Sequence, residues 1–242
     1  MNTYEFCADW VRRQSPNACV LDYGCGEGQT ISLLRDRGVA AVGCDVFYST
    51  SSLTGVPITV RPHVSEMQGD RIPFEDASFD VVISDMVLEH VPNLQIVMSE
   101  VARVLKPGGV SLHVFPDRSV WLEGHANIPF LHWFGKGTKA RVYYAMAMSK
   151  LGFGLPLRGM SRRERYGNKC IWLDDWTHYR SLPEIHACIS RLFKIEHIED
   201  QWFDARFGQR PLPRAIKRWM VRKLAGNAVV LRKHQLAAPT AL

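Results

Sequence analysis

No run of apolar residues in this chain approaches the ~20 needed to span a bilayer. The opening residues carry no basic segment followed by an apolar one, so no export signal is expected. The six cysteines (Cys7, Cys19, Cys25, Cys44, Cys170, Cys188) form no C-x-x-C pair and no ligand-like cluster. Structural zinc, or any other metal, is therefore not expected, and a reduced cytoplasmic setting fits. Low-complexity stretches are scarce. With 46% of its 242 residues hydrophobic, the chain can bury one good-sized core, with room for an insertion. Acid is missing altogether from residues 205–242, which hold 9 Lys/Arg, and nearly so from residues 136–169, with 9 Lys/Arg against 1 Asp/Glu. The net charge of +6 thus conceals an acidic remainder: 9 against 16 in residues 1–135 (net −7) and 3 against 7 in residues 170–204 (net −4). The two positive segments are expected to face a substrate or a surface.

What is present begins with a short apolar run, Ala18, Val20 and Leu21, that reads as a buried strand ending in Asp22. Glycines follow at 24, 26 and 28, and then Ile31, Leu33 and Leu34 open an amphipathic helix. Strand, glycine turn and helix start a doubly wound α/β fold, whose ligands sit outside the carboxyl ends of the strands. Glycine lets a ligand approach the backbone where a side chain would block it. A nicotinamide-dinucleotide fingerprint begun at Gly24 would need glycine or alanine at position 29, where Gln29 stands, so an oxidoreductase is disfavoured. Asp22, an acid just ahead of the loop, suits an ammonium-bearing ligand better than a pyrophosphate. Residues 40–45 read as a second strand ending in Asp45, 19 residues after Gly26 and near the spacing of about 20 at which an acid meets ribose hydroxyls.

The segment D-Y-G-C-G-E-G, residues 22–28, resembles the first motif of the class I S-adenosylmethionine-dependent methyltransferases: an acid, one residue, then G-x-G-x-G. Three later stretches are similar to that family in the same order. They are M-Q-G-D-R-I-P-F (67–74), M-V-L-E-H-V-P (86–92) and K-P-G-G (106–109). The I-P-F and L-E-H-V style is shared with the quinone-biosynthesis methyltransferases. The resemblance covers residues 17–115. It implies a Rossmann-like α/β fold: a seven-stranded, mostly parallel sheet with helices on both faces, its last strand antiparallel. A partly helical cap is expected after strand five, giving a core of residues 1–116, a cap of 117–180 and a completing segment of 181–242. The implied cofactor is S-adenosyl-L-methionine. Carried onto this sequence, the family's binding positions are Asp22, Gly24, Cys25 and Gly26 in the loop, and Asp45 with Val46 at the ribose. Ser84, Asp85 and Met86 fall at the methionine end. Gln68 and Gly69 fall at the adenine, where Gln68 replaces the family's usual acid and leaves Asp70 as a competitor. His90 titrates near neutrality when unperturbed and is a candidate general base; it could equally bond the backbone of its turn. His125 is the second catalytic candidate.

The rest of the chain is read more coarsely. Residues 4–13 form a helix that either covers the cofactor or packs. Residues 94–105 form another, stopped by K-P-G-G before a fifth strand at 110–115. The segment after Pro116 is rich in aromatics and glycine, with one helix expected at 140–151. Glu123, His125 and His132 are its first candidates for substrate contact, while its aromatics are expected mostly to form its own small core. Arg162, Arg163 and Arg165 either receive a phosphate or face water. A helix from Ser181 to Leu192 and strands at 193–198 and 227–233 close the sheet, and residues 234–242 read as a frayed tail. In residues 211–224, Leu212, Ile216, Trp219, Met220 and Leu224 share one face, with Arg214, Lys217, Arg218 and Arg222 mostly opposite. Such a helix can lie on an anionic membrane, or pack its apolar face on the domain, which is the expectation here.

The function expected is methyl transfer, most simply O-methylation, to a small-molecule, lipid-linked or glycan acceptor. A protein at the inner face of the cytoplasmic membrane, touching it through residues 211–224, is the variant that the basic helix allows. RNA is the runner-up acceptor, disfavoured because the positive charge is not interleaved with the motifs; no DNA partner is expected. The alternative from another class is a non-catalytic cofactor-binding partner protein.

Overall fold

β1 (Cys19–Tyr23) sits in the interior of the sheet because Val20 and Leu21, neighbours with opposite facings, are both fully buried. A parallel strand covered on both faces requires this. In the computed structural model, which describes residues 1–48 and 52–234, seven strands run in the order β3-β2-β1-β4-β5-β9-β8. They are β2 (Ala40–Asp45), β3 (Val64–Glu66), β4 (Phe79–Asp85), β5 (Leu105–Phe115), β8 (Phe193–His197) and β9 (Asn227–Lys233) around β1. Leu21 pairs with Val42 on one side and Val82 on the other, both in parallel register. Only β9 runs against its neighbours, β5 and β8. The expected fold class is therefore the observed one. Strand order reverses between β1 and β4, which opens a crevice at their carboxyl ends.

Alternation along the strands divides the core in two. Val20, Val81, Ile83, Leu112 and Val230 face a layer built from α1 (Thr3–Gln14), α2 (Gln29–Arg35), α7 (Glu199–Phe207) and α8 (Arg214–Leu224), which contribute Trp10, Leu34, Trp202 and Val221. Leu21, Val82 and Leu231 face α3 (Leu94–Val104) and α6 (Leu182–Ile189). Local chemistry sets the helix starts: Asn2 with Glu5 and Ser181 with Glu184 form capping boxes, and the Asn93 side chain accepts from the Ile96 N–H at 3.2 Å.

Two expectations shift. The helix before K-P-G-G stops at Val104, and Leu105 already pairs with Phe79. The glycines form an irregularity inside β5, whose register resumes with Val110 opposite Val81. The larger difference is α8. Most of its apolar side does not pack on the domain: Leu212, Ile216, Trp219 and Leu224 are between 37% and 54% exposed, and of the expected face only Met220 lies against the core. The basic side turns inward instead, onto the acids of α7. Arg214 and Arg218 grip Asp200 at 2.7 and 2.8 Å, Lys217 meets Asp204 at 2.6 Å, and Arg222 meets the buried Glu199 at 2.9 Å. α7 itself was not expected.

Between β5 and α6 the chain leaves the sheet for a hairpin, β6 (Leu122–Glu123) with β7 (Ile128–Pro129), and two helices, α4 (Lys139–Lys150) and α5 (Arg162–Trp176). Ala126, Ile128, Leu131, Ala145, Tyr166 and Leu173 form a separate small core there. Arg162, Arg163 and Arg165 lie in the first turn of α5. Among the described residues no helix is long and apolar enough to cross a membrane. Of the expected tail, residues 235–242 lie outside the described residues.

Candidate active site

The carboxyl ends of β1, β2 and β4 floor a cavity of about 420 Å³. Tyr23, Gly24 and Gly26 come from the first loop, Asp45, Val46 and Tyr48 from the second, and Met86, Val87 and His90 from the exit of β4. Met67 and Asp70 close one end, and Asp175, Trp176 and His178 from the end of α5 form the roof. The two loop glycines do different jobs. A Cβ on Gly24 (φ +74°) would stand 2.4 Å from a Val87 methyl, so packing forbids it. At Gly26 (φ +51°) a Cβ would meet nothing within 4 Å, so the demand there comes from the left-handed backbone and the open space before it. The loop is held by Gly24 N–H donating to the Cys44 carbonyl at 2.8 Å and Gly26 N–H donating to Asp45 Oδ2 at 2.8 Å. The other Asp45 oxygen accepts from Phe47 N–H at 2.8 Å. Asp45 thus ties the two loops together and keeps lone pairs free for a hydroxyl.

Charge near the floor is one-sided. Asp22 is 3% exposed, and burial, then Asp85 and Asp45, push its carboxyl up to about 8, eased only by the Thr30 hydroxyl. Burial carries Asp85 up to about 7, and its Oδ1 is buried without a partner. Among the described residues, no ion pair reaches Asp22, Asp45 or Asp85. A cationic ligand would supply what these carboxylates lack.

Of the residues expected from sequence, Gly24, Gly26, Asp45, Val46, Met86 and His90 line the cavity. Asp22 and Asp85 stand just behind it. Cys25 does not line it: its buried side chain packs under Gly43, and its N–H is spent on the Cys44 carbonyl. Ser84 is wholly buried within β4, its hydroxyl unpartnered. Gln68 and Gly69 are exposed and off the wall, which Met67 and Asp70 form instead. In the cap, Glu123 and His132 are buried and do not reach the cavity, and the His132 imidazole bonds the Arg118 carbonyl at 3.2 Å. Sequence reading missed the roof. Tyr48 stacks on Trp176 (centroids 4.9 Å apart, 22° between planes) and leans on His90 at 5.3 Å. The aromatic density of the cap was visible; which rings turn toward the floor was not.

Above the floor, the two candidate histidines meet. His90 Nδ1 lies 2.6 Å from the Trp176 carbonyl, and His90 Nε2 lies 3.1 Å from His125 Nε2. His125 Nδ1 is 2.7 Å from Glu123 Oε1, which also accepts from the Tyr179 hydroxyl at 2.9 Å, while Oε2 takes the Ala126 N–H at 2.6 Å. Burial alone would raise the Glu123 carboxyl, yet His125, Ala126 and Tyr179 hold it below its ordinary range. Burial, with His125 close by, depresses His90 to about 4, so its ring is neutral at physiological pH. Glu89, beside it, is pushed up to about 8 by burial. Glu89, His90 and His125 bring their donor atoms within 4.8 Å of one another, a grouping that the sequence, with no metal-ligand spacing, did not foreshadow. A second, larger groove of about 890 Å³ lies between α6, α8 and the start of the cap. It is basic, but three of its arginines are already paired with Glu199 and Asp200, and it has no glycine loop.

Residues 21–112 match a family described as a methyltransferase domain. A sterol 4-C-methyltransferase of Caenorhabditis elegans is 34% identical over 100 residues, 39% of this chain and 30% of that protein. A ubiquinone biosynthesis O-methyltransferase of Idiomarina loihiensis is 34% identical over 129 residues, 49% of this chain and 52% of that one. The chain spans about half or less of the curated relatives it matches. Among solved structures, an S-adenosylmethionine-dependent methyltransferase from Mesorhizobium loti superposes with a TM-score of 0.55 at 18% identity, covering 95% of this chain and 99% of that one. At that identity the likeness speaks for the fold, which agrees with the sheet order and the glycine loop. The chain carries a methyltransferase domain at residues 21–112, on the fold seen in S-adenosylmethionine-dependent methyltransferases.

Proposed function

We propose that this protein transfers a methyl group from S-adenosyl-L-methionine to an apolar or ring-bearing small molecule, with a hydroxyl oxygen as the accepting atom. The observation that carries the reading is the union of an acid-backed glycine loop with an aromatic roof in one cavity. Bound there, the cofactor would supply a methyl carbon activated by the adjacent sulfonium charge. The unpartnered Asp85 Oδ1 and the open space at Gly26 fit such a group. Asp22 and Asp85 would hold its cationic end, Asp45 and Val46 the ribose, and Met67 and Asp70 the adenine, with the backbone of Gly24, Gly26 and Met86 alongside. Tyr48, Trp176 and His178 exclude water and present flat apolar surface to the acceptor. His90, neutral and on the cavity wall, is the candidate to take the hydroxyl proton, at the Nε2 that it otherwise turns toward His125. The aromatic roof supports a quinone-like, lipid-linked or sugar acceptor over RNA, whose phosphates would meet acid at this floor. Calorimetric titration of wild type and Asp45→Ala with S-adenosylmethionine tests the reading. Binding in the wild type that collapses in the variant supports it; no binding in the wild type removes it.

We also propose that α8 rests on an anionic membrane. Its outward apolar residues continue into Trp121, whose ring meets Trp219 edge-on at 5.8 Å, and the exposed Arg206 and Arg210 flank them. Anionic vesicles should carry the protein upward on flotation and Trp219→Ala should release it, whereas equal flotation of the two would dismiss the contact.

A further inference from the structure

The meeting of His90 and His125 leaves a charge problem that the methyl-transfer reading does not resolve. The Trp176 carbonyl can only accept, so His90 Nδ1 donates to it; the Glu123 carboxylate likewise takes the Nδ1 proton of His125. Each neutral ring then has its lone pair on Nε2, and the two lone pairs face each other across 3.1 Å. A cation has to stand there. A shared proton would serve, but the surroundings are built for something with more valences. Glu89 is buried, with Oε1 4.0 Å from His90 Nε2 and Oε2 without any partner. Two imidazole nitrogens bound at about 2.1 Å to one ion stand about 3.0 Å apart at a right angle and about 3.4 Å apart at the tetrahedral angle, and their separation of 3.1 Å here falls between the two. Each ring is also oriented through its far nitrogen by a carbonyl or a buried carboxylate, the outer support that metal-binding histidines need. Glu123 is in turn fixed by Tyr179.

We propose that Glu89, His90 and His125 bind a divalent first-row transition ion, of which zinc is the representative without redox chemistry. Three protein donors leave a position open, and because His90 lines the cofactor cavity, an acceptor bound in that cavity would be the group to fill it. Its role there rests on the methyl-transfer reading; the binding itself does not. An acceptor hydroxyl held by the ion would lose its proton to solvent, the O–H bond breaking with its electron pair left on oxygen, and so become the nucleophile. The ion would thus replace His90 as the means of deprotonation, with His90 and His125 as its ligands.

The test is Co²⁺ and Zn²⁺ binding to the intact, metal-stripped protein, read by visible absorption of bound Co²⁺ and by competition with a chromophoric chelator. One ion per chain is expected. His125→Ala and Glu89→Gln should each weaken binding by about 100-fold, and Tyr179→Phe, which leaves every ligand in place, by about 10-fold. Asp45→Ala should lose S-adenosylmethionine and keep the metal, so loss of one reading is visible without the other. Binding that is weaker than millimolar in the wild type, or equal in wild type, His125→Ala and Tyr179→Phe, would overturn the proposal and leave a shared proton between the rings. Circular dichroism of each variant separates lost ligands from lost folding.

Discussion

Binding at the glycine loop should expel protons, in a number that the buried carboxylates set. With its carboxyl near 8, Asp22 is about nine-tenths protonated at pH 7, and Asp85, near 7, is about half protonated. A sulfonium and an ammonium placed beside them favour the ionised forms, so between about one and 1.4 protons should leave per ligand bound at pH 7. Affinity for S-adenosylmethionine should therefore climb with pH between about 6 and 8, by about ten- to 25-fold per unit near pH 7, or about 1.4 to 1.9 kcal/mol. Calorimetry at pH 7 in buffers of different ionisation enthalpy reads the count directly, and Asp22→Asn should cut it to about half a proton. The sign for the free protein is opposite. Carboxyls raised in the folded state contribute stability that is fully present below about pH 4 and lost as pH rises through 7–8, so ligand-free Asp22→Asn should be the more stable protein at pH 8. Proton uptake on binding, or a count near zero that Asp22→Asn leaves unchanged, would refute the electrostatic argument.

Two further outcomes follow from the geometry. Gly24→Ala should cost about 2 kcal/mol of stability, because its Cβ meets Val87 at 2.4 Å, whereas Gly26→Ala should cost nearer 1 kcal/mol and mainly reduce cofactor affinity; denaturant melts beside titrations separate them. Glu199→Gln should destabilise the protein by about 3 kcal/mol at neutral pH by leaving Arg222 and His197 facing a neutral amide. Burial would raise Glu199, but His197 and Arg222 hold it down, so the contribution is present above its ordinary range and lost as pH falls through the lowered value. Urea melts of both proteins at pH 7 and in acid check it: a gap that widens in acid would count against the ion pair.

Residue order alone determined the sheet and its glycine loop. The inner strands are short apolar runs with both faces buried, and Gly24 and Asp45 belong to one strand–helix–strand unit, so local pattern contains nearly all of their physics. The quinone-methyltransferase style of L-E-H-V was equally legible, because the turn is continuous in the chain. Only the tertiary structure decided what depends on partners far away. α8 has an apolar face legible in the sequence, yet its basic side meets three acids of α7, among them the fully buried Glu199, and Ile216, Trp219 and Leu224 are left toward solvent. Gln68 and Gly69 match the family's adenine positions in order, but the backbone turns them outward, leaving Met67 and Asp70 on the wall. His90 and His125 are separated by 35 positions and belong to the core and the cap respectively. No periodicity links them; the cap's own small core brings them together, and the bonds to Trp176 and Glu123 determine which nitrogens they present.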